Sequence, residues 1–402
     1  MKKIDNLDVM SFMNGLVFFS PIALLVRTAA GVSVNDFFIL QALLSISVFF
    51  LEIPTGKLSD KLGHKSTLVL SQIMLLSARI LLLVAFVEKS MTFFVIEVFV
   101  EGLSVCFSSG TQSAYIYSTE TNETFVSKTA HVANCGTAGF VISTITYVVI
   151  YKFYGITGLL VATILANLVA VISSFGLKKE INEYKEDSHV VGSREIIKSI
   201  CSVKTLWIIV LLACINIVYI LINFFYVDKL MEIGISEMYM TPIILGYSVI
   251  QLTSEFILNK IQRFKDKIVF GVSFLLSGIM LCSLGLISNK IGIVMIMLLL
   301  PLAVDIPTYL LEEVQNRFVD EQENDSHRAE IISIFNMGVN LVEIIFLFGS
   351  AVIAGFGAAM CFCVVGIAMM ILGVVSYAKK GNIKENLDEK LQKNSERNVF
   401  CQ

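Results

Sequence analysis

Arg79, Glu97, Glu101 and Asp305 are charged side chains set in stretches that are otherwise strongly apolar. A carboxyl group held away from water either pairs with a cation or binds and releases a proton, and charge at that depth is costly enough to be functional by default. Glu97 and Glu101 open a run, continued by Ser104, Ser108, Thr111 and Tyr115, whose steps of three or four residues place it on one helical face. Similar runs are Asn216, Tyr219, Asn223, Tyr226, then Asp305, Thr308, Tyr309, Glu312, Asn316, and finally Ser333, Asn336, Asn340, Glu343; Ser11 and Asn14 offer a weaker one. Such a face either lines a polar cavity or bonds one helix to another. The proton-coupling candidates are Glu97, Glu101, Asp305 and Arg79. The cavity candidates are Asn14, Ser104, Ser108, Tyr115, Asn216, Tyr219, Asn223, Tyr226, Tyr309 and Glu312. Covalent and metal chemistry have no comparable support, because the eight cysteines lie mostly inside apolar runs and the four histidines are far apart. No metal site, no cofactor and no enzymatic activity are expected.

These polar faces need long helices with apolar backs, and the composition supplies them. Of 402 residues 56% are hydrophobic and 16% charged, with a mean hydropathy of +0.79, whereas soluble domains carry about 25% charged residues. That excludes an ordinary water-soluble enzyme, and neither a basic nor an acidic tract points to nucleic acid. Twelve stretches are long enough for membrane helices of about 20 residues: 9–29, 34–56, 66–87, 91–117, 127–151, 155–177, 205–227, 239–259, 268–288, 291–315, 329–352 and 356–378. The apolar run after Met1-Lys2-Lys3 is too long for a secretory leader.

With twelve spans, 24 of the 30 Lys and Arg residues fall on one side and five on the other, while Arg79 lies within a span. The positive-inside rule then makes both termini cytoplasmic. The hydrophilic segment from Lys178 to Val203 divides the chain, giving an N-terminal six-helix bundle (1–177), a cytoplasmic linker (178–203), a C-terminal six-helix bundle (204–378) and a cytoplasmic tail (379–402). The turn near Glu88 and Lys89 places Arg79 level with residue 98 across the hairpin. Arg79 is therefore expected to pair with Glu97 or Glu101, leaving the other acid freer to take a proton. Asp305 lies about 21 Å into the tenth span at about 1.5 Å per residue.

The loop after the second span reads Gly56-Lys-Leu-Ser-Asp60-Lys-Leu-Gly63-His-Lys65-Ser-Thr-Leu68. About half the chain later, Arg263-Phe264, Lys267 and Phe270 echo Lys61-Leu62, Lys65 and Leu68, and Arg328-Ala-Glu echoes Lys128-Thr-Ala, as expected of two related halves. The segment resembles the signature of the major facilitator superfamily between helices 2 and 3, G-x-L-a-D-r-x-G-r-[RK]-x-x-[LI], at every fixed position except for His64. The resemblance runs from about residue 8 to 378. Leu51-Glu52-Ile53-Pro54-Thr55 and Gly110-x-x-x-Ala114-Tyr115 are further similar to a drug-efflux-like bacterial branch. What it implies is an all-α membrane protein of twelve transmembrane helices in two pseudo-symmetric six-helix bundles, with helices 1, 4, 7 and 10 lining a central cavity.

Gly56, Asp60, Gly63 and Lys65 then become the gating motif. The glycines permit a tight turn and close helix approach, and Asp60 can accept from helix-terminal amides or from a basic residue. Two features of many drug–proton antiporters are missing: Val98 stands where the fourth helix would carry an arginine, and the fifth span has Asn134-Cys-Gly136-Thr-Ala-Gly139 without proline. The leading expectation is a monomeric secondary transporter in the bacterial plasma membrane. It would export amphipathic or drug-like molecules by alternating access, driven by the proton gradient, with lipid and a small-molecule substrate as its only partners. The alternatives are a metabolite importer of the same fold and a transporter-like sensor that moves nothing.

Overall fold

The computed structural model describes residues 4–121, 124–179, 203–224, 229–230, 232–235, 240–261, 266–321, 327–353 and 358–378. Every regular element among them is a helix. In chain order these are α1 (Asn6–Gly15), α2 (Ala23–Ala29), α3 (Val34–Leu62), α4 (His64–Glu88), α5 (Met91–Thr119), α6 (Phe125–Phe175), α7 (Val203–Phe224), α8 (Met240–Gln251), α9 (Ser254–Ile261), α10 (Asp266–Leu286), α11 (Lys290–Glu321), α12 (Arg328–Ile353) and α13 (Ala358–Ala378). Eight of the described helices are long and apolar enough to cross a membrane. Gly155, at φ 63, bends α6 into two spans, and α1 with α2, α7, and α8 with α9 supply the remaining crossings of the twelve-helix plan.

The first crossing departs from the single uninterrupted span expected over 9–29. α1 stops at Gly15, a 3-10 turn occupies Ser20–Ile22 with Pro21 near its start, and α2 resumes at Ala23. Proline lacks the N–H that would continue the helical ladder, so the break falls where the sequence puts one. The eighth crossing is likewise divided at Leu252 and Thr253.

Two compact units emerge. One comprises Met1–Val190 with Ser326–Met337, the other Val191–Asp325 with Gly338–Gln402. The opening turns of α12 thus cluster with the first unit, although the sequence places them in the second half of the chain. Residues 180–202 of the expected linker (178–203), and the tail from 379, lie outside the described residues.

Inside the first unit, α1 lies directly on α6. A Cβ on Gly15 would fall on the carbonyl of Gly136, one on Gly139 would fall on that of Phe12, and Ser11 Oγ donates to the Val132 carbonyl at 2.7 Å. Helices in lipid gain little from the hydrophobic effect, so backbone approach of this kind is a main source of their association. α4 and α5 are fastened by a reciprocal pair, Ser71 Oγ to the Ser104 carbonyl at 3.0 Å and Ser104 Oγ to the Ser71 carbonyl at 2.9 Å. Phe94, Leu82, Val26, Leu40 and Leu159 form a buried apolar cluster close to the turn of this hairpin. Ile145, Val149, Leu165 and Ile172 stay exposed, as lipid contact requires.

The second unit repeats the device on a seven-residue period. Gly271, Gly278 and Gly285 of α10 meet Gly373, Gly366 and Ala359 of α13 in turn. Each position rises by seven on one helix as it falls by seven on the other, which is the pattern of an antiparallel pair supercoiled to 3.5 residues per turn. α11 contains Pro301 and Pro307. The carbonyl that Pro307 cannot bond, that of Ala303, is taken by Ser277 Oγ of α10 at 3.0 Å, so a proline is tolerated mid-membrane because a neighbouring helix satisfies the freed group.

Candidate functional site

The charged residues of the first unit come together from three helices. α5 carries Glu97 and Glu101 one turn apart, α4 carries Arg79, and α2 carries Arg27. Arg79 Nη2 meets Glu101 Oε1 at 2.9 Å, and Arg27 Nη2 meets Glu97 Oε2 at 3.4 Å. The guanidinium of Arg79 lies 5.5 Å from the Phe19 ring centroid, and that of Arg27 lies 5.6 Å from Phe37 and 6.0 Å from Phe94, which supports a cation where water is scarce. Glu97 is fully buried and its Oε1 has no hydrogen-bond partner. Arg79 thus takes Glu101 of the two acids open to it. The other acid is not left free, because Arg27 holds it. Arg27 sits near the end of the first expected span, and α2 folds back into the bundle and buries it.

At the other end of α3 lies the signature turn. Gly63 adopts φ 85 between α3 and α4, the left-handed region that glycine occupies at least cost. Asp60, buried, accepts from the backbone N–H of Ala329 at 2.8 Å and of Glu330 at 2.7 Å. These are among the N–H groups that a helix start leaves without internal partners, and the carboxylate also meets the positive end of the α12 dipole. Gly56 and Gly110 make room: a Cβ on Gly56 would lie 2.5 Å from Ser333 Oγ, and one on Gly110 would lie 3.1 Å from both the Ala329 carbonyl and Ser333 Oγ. Arg328 stacks on Tyr117 at 4.4 Å. Around the turn Thr111 Oγ1 donates to Ser59 Oγ at 2.9 Å, and Ser59 Oγ lies 3.2 Å from His64 Nδ1. Lys65 Nζ donates to the Leu177 carbonyl at 2.6 Å, tying α4 to the end of α6.

A second set of polar ties secures α1. Asp5 caps it and shares a capping box with Asp8. Lys128 Nζ reaches Asp5 Oδ2 at 2.8 Å and Asp8 Oδ1 at 2.7 Å. Burial works against the Asp5 carboxylate, but the hydrogen bond from Lys128 and those from Asp8 outweigh it and hold its pKa below the usual value. Among the described residues two groups combine metal-ligand residue types within 4.8 Å, Asp8 with His131 and Cys135, and Asp60 with His327 and Glu330. In each, the aspartate is already engaged, by Lys128 or by the two amides.

In the second unit, Asp305 of α11 is buried one residue past the midpoint between the two prolines. Tyr219 of α7 donates to its Oδ1 at 2.5 Å, and Oδ2 has no partner. Tyr247 and Gln251 of α8 and Tyr309 of α11 surround the same carboxylate. No Lys, Arg or His pairs with it among the described residues. Glu312 lies one turn beyond Tyr309, and Asn216 of α7 reaches Glu343 of α12.

The remaining sequence-named residues divide between these groups and helix contacts. Asn14 accepts from Asn167 Nδ2 at 3.4 Å, Ser108 bonds the Val105 carbonyl of its own helix, and Tyr115 OH donates to the Lys178 carbonyl at 3.2 Å. Ser104 is spent on the α4 contact already described. The side chain of Asn223, and all of Tyr226, lie outside the described residues. Besides Asp8 and Glu330, two buried acids among the described residues lie outside the expected sites: Glu52 of α3, and Glu313, which meets Arg317 at 2.7 Å one turn away. The second was readable from its i, i+4 spacing.

The fold has close counterparts among solved structures. The E. coli fucose:proton symporter FucP superposes with a TM-score of 0.71 at 12% identity, covering 93% of this chain and 98% of that one. FucP in the outward conformation gives 0.72 at 13%, with the same coverage. The human organic anion transporter MFSD10 gives 0.69 at 11%, covering 92% and 97%. No curated protein sequence matches. The family profile of the Major Facilitator Superfamily matches residues 7–310, most of the chain. With an all-helical fold among the described residues and the Gly56–Leu68 turn in place, the chain belongs to the Major Facilitator Superfamily, as a multi-pass membrane transporter.

Proposed function

We propose that this transporter exports small amphipathic molecules in exchange for protons. The observation that carries the reading is Asp305: an acid buried in the second unit, ringed by Tyr219, Tyr247, Tyr309 and Gln251, with one oxygen unpartnered and, among the described residues, no cation beside it. A carboxyl group in such a place accepts a proton or a cationic ligand but does not hold its charge alone, so the two compete for it. Tyrosine rings supply flat apolar surface and hydroxyl donors to a lipophilic cation. In the first unit Glu97 and Glu101 are each matched by an arginine, which suits them to positioning and to relaying charge. Asp60 on the start of α12 serves as the clasp that forms and breaks as access alternates, with Gly56, Gly63 and Lys65 shaping its turn.

The test is transport into lipid vesicles under an imposed pH gradient, with a panel of lipophilic cations, anions and neutral metabolites. Gradient-driven movement of cations opposite to the proton, lost in Asp305→Asn while membrane insertion is retained, supports the reading. Movement of a neutral metabolite in the same direction as the proton would replace it with import, and unchanged transport in Asp305→Asn would remove Asp305 from the coupling.

A further inference from the structure

Glu52 is an acid of the first unit that neither the signature turn nor the paired charges explain. It lies on α3 two turns before Asp60 and is 1% exposed. Asn336 Nδ2 of α12 donates to its Oε1 at 3.3 Å and to Ser109 Oγ of α5 at 2.8 Å. Its Oε2 has no partner. Ser109 and Cys106 are the α5 groups facing it, and the Cys106 thiol, which itself donates to the Val48 carbonyl, is the only titratable one of them. Among the other charges on these elements, Glu97 and Glu101 meet arginines nearer the start of α5, and Asp60, Arg328 and Glu330 lie at the opposite end of the α3–α12 contact. Asp36 bonds Ser33 at the start of α3, Glu343 receives Asn216, and Lys57 and Lys61 are the cations of α3. No Lys, Arg or His among the described residues pairs with Glu52.

We propose that Glu52 is a proton-binding site that controls the docking of the first turns of α12 on α3 and α5. A carboxylate here would be buried with, among the described residues, an amide and a thiol as its only neighbours able to donate besides the Ser109 hydroxyl, whereas the neutral acid needs one acceptor, and Ser109 Oγ has a second lone pair to offer. Docked, Glu52 carries its proton. When α12 leaves, water reaches the carboxyl, the O–H bond breaks, the proton passes to water, and the carboxylate that remains opposes re-docking until it is protonated again. Glu52 and Asp60 thus act on one element in different ways, Asp60 as a fixed acceptor for the helix end and Glu52 as a switch about 12 Å along α3, eight residues at about 1.5 Å each. The inference rests on the carrier reading only for its place in a transport cycle, since proton binding and docking are both measurable without substrate.

The experiment is hydrogen–deuterium exchange of residues 328–337 in the full-length protein in lipid, comparing the original chain with Glu52→Gln at each pH. Glutamine keeps the shape and stays neutral, so the comparison cancels the intrinsic pH dependence of exchange. Exchange of the original chain relative to Glu52→Gln is expected to rise with pH, by up to about tenfold per pH unit, the limit for one linked proton. Glu52→Asp retains an acid and is expected to retain a rising ratio to Glu52→Gln with a displaced midpoint. If Glu52→Gln does not fold, a pH-dependent exchange of this segment that differs in midpoint between the original chain and Glu52→Asp supports the proposal, and an identical midpoint overturns it. A ratio flat within about twofold between about pH 5 and 9 overturns it as well, whatever the transport assays give. A rising ratio in a protein that transports none of the panel supports the site and counts against the carrier reading instead.

Discussion

Replacing Asp60 by asparagine exposes how much the clasp on α12 contributes. Both carboxylate oxygens are used, at 2.8 Å by Ala329 N–H and 2.7 Å by Glu330 N–H. Asparagine offers one acceptor and turns an amide donor toward the other N–H. One hydrogen bond to a charged group, about 1.5–3 kcal/mol, is lost, and an N–H left buried without a partner costs about 1–3 kcal/mol. The interaction with the helix dipole adds about 0.3–1 kcal/mol. These overlap, so undocking should become easier by roughly 2–4 kcal/mol, or about 30- to 1000-fold at 1.4 kcal/mol per factor of ten. Ile332, buried against Ala114 and Ala329, reports the event. With the native cysteines replaced and Ile332→Cys introduced, the labelling rate by a soluble thiol reagent should rise at least about 30-fold when Asp60→Asn is added. A change below about threefold in a protein that remains folded would refute the assignment of these two hydrogen bonds as the clasp.

Arg79→Gln should destabilise the first unit by about 3–5 kcal/mol, because Glu101 is left without its cation, and the double variant Arg79→Gln, Glu101→Gln should recover part of the loss in thermal unfolding. Gly278→Leu should lower the unfolding temperature or prevent assembly of the second unit, since a Cβ there already meets the Gly366 carbonyl at 2.5 Å and Met370 Cγ at 2.6 Å; a stable variant with unchanged unfolding would contradict the α10–α13 contact. Asp5, with its pKa held below 3.8, contributes stability that is present above its unfolded value and lost as pH falls through the folded one. Protease access near the start of α1 should therefore increase on strong acidification, and Asp5→Asn should remove part of that acid dependence.

Hairpin arithmetic brought Arg79 to the level of two acids, and local spacing went no further, because the choice between them depends on where Arg27 goes. That depended in turn on Pro21 and Gly15 breaking the first span, which allows α2 to fold inward. The signature turn was legible in full as a motif, down to the helix-end amides as one of two possible partners for Asp60. Which helix end it meets requires the three-dimensional arrangement. Polar stripes mixed two uses that spacing alone does not separate: Ser104 serves the α4 contact, while Tyr219, Tyr309 and Asp305 converge. Glu52 was visible only as a member of the Leu51–Thr55 run, since nothing in its neighbours along the chain reveals that it faces Asn336, 284 residues away. The glycine ladder of α10 and α13 was readable from its period, and lay hidden only because both helices look uniformly apolar.

Proton release on substrate binding tests the central claim most directly. Purified protein in weakly buffered solution, with a pH-sensitive dye, is mixed with a transported lipophilic cation near neutral pH. If substrate and proton compete for Asp305, binding releases protons in proportion to occupied sites, and Asp305→Asn abolishes the release. Binding that releases no proton in the original chain, or an equal release in Asp305→Asn, would contradict the account.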